Sequence, residues 1–163
     1  MFQDTWTEMN KWDQRFMQLA IMVATWSKDP SSKTSTIIVT PDHRIVSVGF
    51  NGLPKGIQDS RDILHDREKK YAKIIHAEIN AILFAQQDLT GCIAYMLPMS
   101  PCEQCASLLI QASISEIHHP AHIAPDKVER WGASLQSAYN DLQNAGVKMV
   151  SHTIPEDWYA RFK

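Results

Sequence analysis

The chain has 163 residues, 44% hydrophobic and 21% charged, which fits one globular domain able to bury a sheet beneath helices. A formal charge of −2 and a pI near 6.4 argue against the basic face that long nucleic acid needs, but leave room for a small phosphorylated ligand. Asp4 and Glu8 stand where a secretory leader would carry a basic run, and the apolar stretch Leu19–Ala24 is too short to cross a bilayer. No membrane association and a cytoplasmic location are therefore expected.

In chain order, Trp12, Phe16, Leu19 and Val23 recur at helical spacing and predict a first helix over 11–27, ended by Lys28-Asp29-Pro30-Ser31-Ser32. Two strands follow, 35–40 and 44–50, joined by a Pro41-Asp42-His43 turn. Segment 51–74 opens with Asn-Gly-Leu-Pro-Lys-Gly and is highly charged from Asp59 to Lys70, which reads as a solvated helix face or as lysines and arginines that cover a phosphate. A long polar insertion of this kind reads as a lid or binding loop. The pattern then alternates: a helix over 76–87, a strand at 92–97, a helix over 101–112, a short strand at 116–118, a helix over 126–145 closed by Gly146, and a strand at 147–150. Alternating strands and helices imply an α/β layer architecture. One domain over 1–163 is expected, with its motifs between 12 and 150 and a tail at 151–163 carrying a short surface helix at 155–162.

Three cysteines are an odd number, and Cys102 and Cys105 form a Cys-x-x-Cys pair. Without a leader, that pattern reads as metal or redox chemistry, not a disulfide framework. Cys92, opening a strand, reads as a buried inert thiol. His76-Ala77-Glu78 falls at the start of one predicted helix and Pro101-Cys102-Glu103-Gln104-Cys105 at the start of another. Ser100 as N-cap, Pro101 at the first helical position and Glu103 at the third would form a capping box. Cys102 and Cys105 would then share one face of the first turn, beside unpaired N–H groups that favour thiolate. Two thiolates and an imidazole suit zinc, and three protein ligands leave a fourth corner for water, as in a catalytic site. Glu78 is then the natural proton carrier. His-x-Glu followed by Pro-Cys-x-x-Cys is the known signature of zinc deaminases. A closed structural site completed by another His, and a thioredoxin-like redox pair, are the competing readings.

Clustered His118, His119 and His122 raise a second metal, against the plainer reading of surface or cleft-lining residues. Trp131 and Tyr139 fit base stacking or helix packing equally. His65 reads as solvated, and Asn51 before Gly52 fits a tight turn.

Trp12-Asp13-x-x-Phe16-Met17, Ser27-Lys28-Asp29-Pro30, Gly49-Phe50-Asn51-Gly52-Leu53-Pro54-x-Gly56, His76-Ala77-Glu78-Ile79-Asn80-Ala81-Ile82 and Pro101-Cys102-x-x-Cys105-Ala106 resemble the cytidine and deoxycytidylate deaminase superfamily, above all its deoxycytidylate (dCMP) branch. The resemblance implies a three-layer α/β/α fold with a five-stranded mixed sheet, zinc on His76, Cys102 and Cys105, and Glu78 as proton shuttle. It further implies that Asn51 meets the sugar and that the Ala77 N–H and Ser100 carbonyl read the base edge. Lys28 and Lys55 are the candidate phosphate contacts. The implied reaction is hydrolytic deamination of dCMP to dUMP and ammonia. Implied partners are the nucleotide substrate, a nucleotide effector, and further copies of the chain as a dimer or hexamer. The chain departs from the family at Thr34-Ser35-Thr36, at 58–73 and from His118 through Trp131. Deamination of another base, nucleoside or modified nucleotide therefore stays open beside dCMP, as does a non-catalytic zinc-stabilised module.

Overall fold

A computed structural model of the protein describes residues 9–161. Asp4 and Glu8, and the end of the expected tail helix at Phe162, lie outside the described residues. Helix α1 (Lys11–Ala24) starts where the Asn10 side chain accepts the N–H groups of Trp12 and Asp13, at 2.9 and 3.0 Å. It buries Phe16 and Val23 of the expected stripe together with Met17 and Ala20, while Trp12 and Leu19 are half-buried against the same core. It stops short of residue 27 as its last turn tightens, the N–H groups of Thr25, Trp26 and Ser27 each bonding a carbonyl three residues back, and the Ser27 hydroxyl donates to the Asn51 carbonyl at 2.9 Å.

Strands β1 (Ser35–Val39) and β2 (Ile45–Phe50) form an antiparallel hairpin. Two short helices, α2 (Arg61–Leu64) and α3 (Arg67–Tyr71), occupy the charged segment. The chain then runs through α4 (Ala77–Ala85), β3 (Ile93–Leu97), α5 (Glu103–Gln111), β4 (Glu116–Pro120), α6 (Pro125–Asn144), β5 (Lys148–His152) and α7 (Glu156–Ala160). The strand order is β2-β1-β3-β4-β5. β1 is antiparallel to both neighbours, whereas β3, β4 and β5 are parallel, so the sheet is mixed as expected.

Every residue of β1 is buried, because helices cover both faces of the sheet. One face packs Ile37, Val39, Tyr95 and Leu97 against α1 and Trp158 of α7. The other packs Ile38, Ala94, Met96 and Ile117 beneath α4, α5 and α6, with Ala81, Leu109 and Leu142 at the contact. Gly146, at φ +80°, turns the chain out of α6 in the left-handed conformation glycine tolerates. β4 and β5 run two residues beyond expectation, with Pro120 opposite His152. Among the described residues, no helix is long and apolar enough to cross a membrane.

Gly49 fixes the seat of α4. A Cβ there would collide with the Ala77 carbonyl and with the backbone of Ala81, which lies 2.5 Å away at its nitrogen. Glycine thus lets α4 lie directly on β2, and the Asn80 amide donates to the Phe50 carbonyl at 2.8 Å to lock that contact.

Candidate active site

His76 and Cys102 occupy equivalent places, each the extended N-cap residue of a helix pointing at the same cleft. The capping box expected from Ser100, Pro101 and Glu103 is not formed. Ser100 and Pro101 lie buried in the connection from β3, and the Cys102 carbonyl accepts the first helical N–H, from Ala106, at 2.8 Å. An extended Cys102 (φ −73°, ψ 169°) followed by a helical Cys105 brings both sulfurs to one imidazole nitrogen. Sγ of Cys102 lies 3.5 Å, and Sγ of Cys105 3.3 Å, from Nδ1 of His76.

Tetrahedral zinc, with bonds of about 2.3 Å to sulfur and 2.0 Å to nitrogen, needs donors about 3.5 Å apart. These residues fit it. Among the described residues the donor group stops at these three, leaving a corner without a protein ligand. The Cys105 thiol hydrogen-bonds to Cys102 and, helped by His76, draws its partner's pKa down to about 4, so one sulfur is a ready thiolate. That shared proton, with burial, pushes the Cys105 thiol up in turn. Burial raises the pKa of the Glu78 carboxyl, in the first turn of α4, as befits a group that takes and returns protons.

The cleft beside these residues is walled by Trp131 and Tyr71. The Trp131 ring meets His76 edge-on and Tyr71 at a tilt, each at 6.1 Å between centroids. Ser100 and Asn51 line the cleft, and Ala77 opens α4, where backbone N–H groups lack helical partners. Asn51 is already engaged: its Oδ1 accepts from the Thr34 N–H at 2.8 Å and its amide donates to the Ser32 carbonyl at 2.8 Å. It therefore also shapes the loop after α1.

Two expected residues stay outside. Lys28 is exposed and pairs with Asp59 at 2.7 Å, and Lys55 sits over the Phe84 ring at 5.4 Å. The cations that do line the cleft are Lys70 and Arg130. Lys70 departs from the solvated face expected of its segment: it is buried, with Nζ 3.0 Å from Asp29 and 3.1 Å from the Ser31 hydroxyl. Arg130, one residue before the cleft tryptophan, was missed because no motif surrounds it. Tyr139 does not line this cleft. His118, His119 and His122 do not assemble. Strand alternation sends His119 to the opposite face from His118, His119 bonds the Pro120 carbonyl, and His122 is exposed. Cys92 is buried, and burial raises its thiol pKa.

A layered sheet whose paired helix starts bring one imidazole and two sulfurs together beside a half-buried carboxyl defines a zinc-dependent deaminase, a class of hydrolase. Residues 10–119 match the profile of the cytidine and deoxycytidylate deaminase zinc-binding region, and the chain belongs to that family. It is 45% identical over 142 residues to an uncharacterized deaminase from the luxG 3′ region of Aliivibrio fischeri, covering 87% of this chain and 94% of that one. It is 39% identical over 131 residues to the deoxycytidylate deaminase of Mus musculus, covering 77% and 73%. Its fold matches the dCMP deaminase of cyanophage S-TIM5, crystallised with dCMP and dUMP, at TM-score 0.69 and 19% identity over 90% of this chain and all of that one.

Proposed function

We propose that the protein deaminates dCMP to dUMP and ammonia, with His76, Cys102 and Cys105 holding zinc. The observation that carries this reading is the convergence of those three donors with half-buried Glu78 in an aromatic-walled cleft. The likeness to deoxycytidylate deaminases narrows the substrate. When bound, zinc supplies Lewis-acid activation of water. The protein's own groups do the rest. Trp131 and Tyr71 hold the ring, while the Ala77 N–H and the Ser100 carbonyl read its edge. Glu78 takes a proton from the attacking water and passes it to ring N3, which makes C4 more electrophilic. It then carries the second proton to the amino group, which leaves as ammonia. The remaining acceptor capacity of Asn51 serves the sugar. Arg130, rather than Lys28 or Lys55, takes the phosphate.

The chain acts as one domain over residues 1–163, with segment 51–74 as its lid; Lys70, Tyr71 and Ile74 reach the cleft from that segment. Cytoplasmic location and assembly into a homo-oligomer complete the reading. Exposed Leu83 and Phe84 on α4 supply the apolar face that assembly would cover, and a nucleotide effector belongs to the same proposal.

The test is ammonia release from dCMP, CMP, deoxycytidine, dCTP, adenosine and guanine. Turnover of dCMP above all others is expected. Arg130→Ala should raise KM for dCMP about tenfold or more, as loss of a charge-assisted contact of 1.5–3 kcal/mol implies, while barely moving deoxycytidine. Equal turnover of dCMP and deoxycytidine by the unaltered protein would remove the phosphate from the substrate.

A further inference from the structure

On the sheet face opposite the cleft, three buried residues from distant parts of the sequence aim donor atoms at one point. Asp13 of α1, His118 of β4 and His152 of β5 place a carboxylate oxygen, Nδ1 and Nε2 within 4.8 Å of one another. His118 Nδ1 lies 2.7 Å from His152 Nε2 and 3.8 Å from the Asp13 carboxylate.

The surroundings prepare these atoms as ligands. Glu116, itself paired with Lys148 at 3.3 Å, holds Nε2 of His118 at 2.6 Å. That contact keeps the proton on Nε2 and turns the Nδ1 lone pair inward, the carboxylate–histidine arrangement found behind metal ligands. The Tyr95 hydroxyl donates to one Asp13 oxygen at 2.6 Å and the Asn10 amide to the other at 2.8 Å. Among the described residues no Lys or Arg pairs with Asp13, although its carboxylate is buried. A carboxylate buried with two imidazoles and no paired Lys or Arg is the setting in which a metal ion stabilises the cluster, since burying a charge without a cation is costly.

We propose that Asp13, His118 and His152 form a second metal site for a divalent transition ion such as zinc, separate from the catalytic one. Two imidazoles and one carboxylate suit zinc and its neighbours in the first row. The donors need only a modest spread, since nitrogens on tetrahedral zinc sit about 3.3 Å apart. All three residues being buried, the ion enters as α1 docks on the sheet, and it ties the start of that helix to two parallel strands.

The test counts zinc per chain by elemental analysis after dialysis against equimolar-excess zinc and desalting. Two zinc ions per chain are expected. Cys102→Ser/Cys105→Ser should retain one, with only nitrogen and oxygen neighbours by X-ray absorption. His152→Asn, checked for folding by circular dichroism, should also retain one, now with sulfur neighbours, whereas His122→Ala should retain two. A single zinc in the unaltered protein, a second ion bound by sulfur, or two ions in His152→Asn would overturn the site.

Discussion

At the scale of single residues, identical-looking side chains separate by where the backbone aims them. His76 and His118 both offer Nδ1 to a cluster, yet one faces sulfurs at helix starts and the other a carboxylate beneath a sheet. The proton-shuttle role proposed for Glu78 rests on its half-buried place beside the first cluster, outside its donor group. Glu78→Gln preserves shape but not the ability to exchange protons. Its kcat should fall about 10²- to 10⁴-fold while zinc content by elemental analysis stays unchanged. Normal turnover in that variant would move the shuttle role elsewhere.

At the scale of elements, the ligands are only as well placed as the helices that begin with them. α4 rests on β2 through Gly49, and what a new side chain would strike there is backbone, which cannot rotate away. Gly49→Ala should cost about 1–3 kcal/mol of stability in a denaturant melt and, by displacing the first turn of α4, lower zinc content as well. Stability and zinc both at their original values would mean that the contact is slack.

The same scale explains what could be read before folding. His76, Glu78, Cys102 and Cys105 were legible because short spacings and helix starts keep each pair together, whatever the tertiary details. The cap at Cys102 was not, since Ser100-Pro101-x-Glu103 satisfies a local rule that the connection from β3 overrides. Asp13, His118 and His152 were beyond sequence reasoning: each belongs to a different element, and only sheet register brings the last two to one face. His119 and His122 looked better by adjacency and were excluded by strand alternation and exposure. Buried Lys70 likewise hid in a charged run, where its partner Asp29, 41 positions away, left no local mark.

At the scale of the whole molecule, the sheet separates two clusters, with hydrolysis assigned to the α4/α5 side and the second metal to the α1 side. Apolar surface remains on the outer side of α4, where Leu83 and Phe84 are 60% and 50% exposed. If copies of the chain meet there, Phe84→Glu should lower the mass measured by light scattering to that of a single chain. An unchanged assembly would place the contact on another surface.

The paired bridge between Gly52 and Ile75, with hydrogen bonds of 3.1 and 2.9 Å, closes the neck of the charged excursion just before His76. Between those two residues the excursion is held again by Lys70 on Asp29 and by Tyr71 on Trp131, so length and composition can drift from Leu53 to Lys69 without pulling on the His76 imidazole. Evolution can therefore rewrite what the enzyme accepts while leaving untouched how it reacts, and transplanting that hanging segment between relatives becomes a rational way to exchange their substrate preferences.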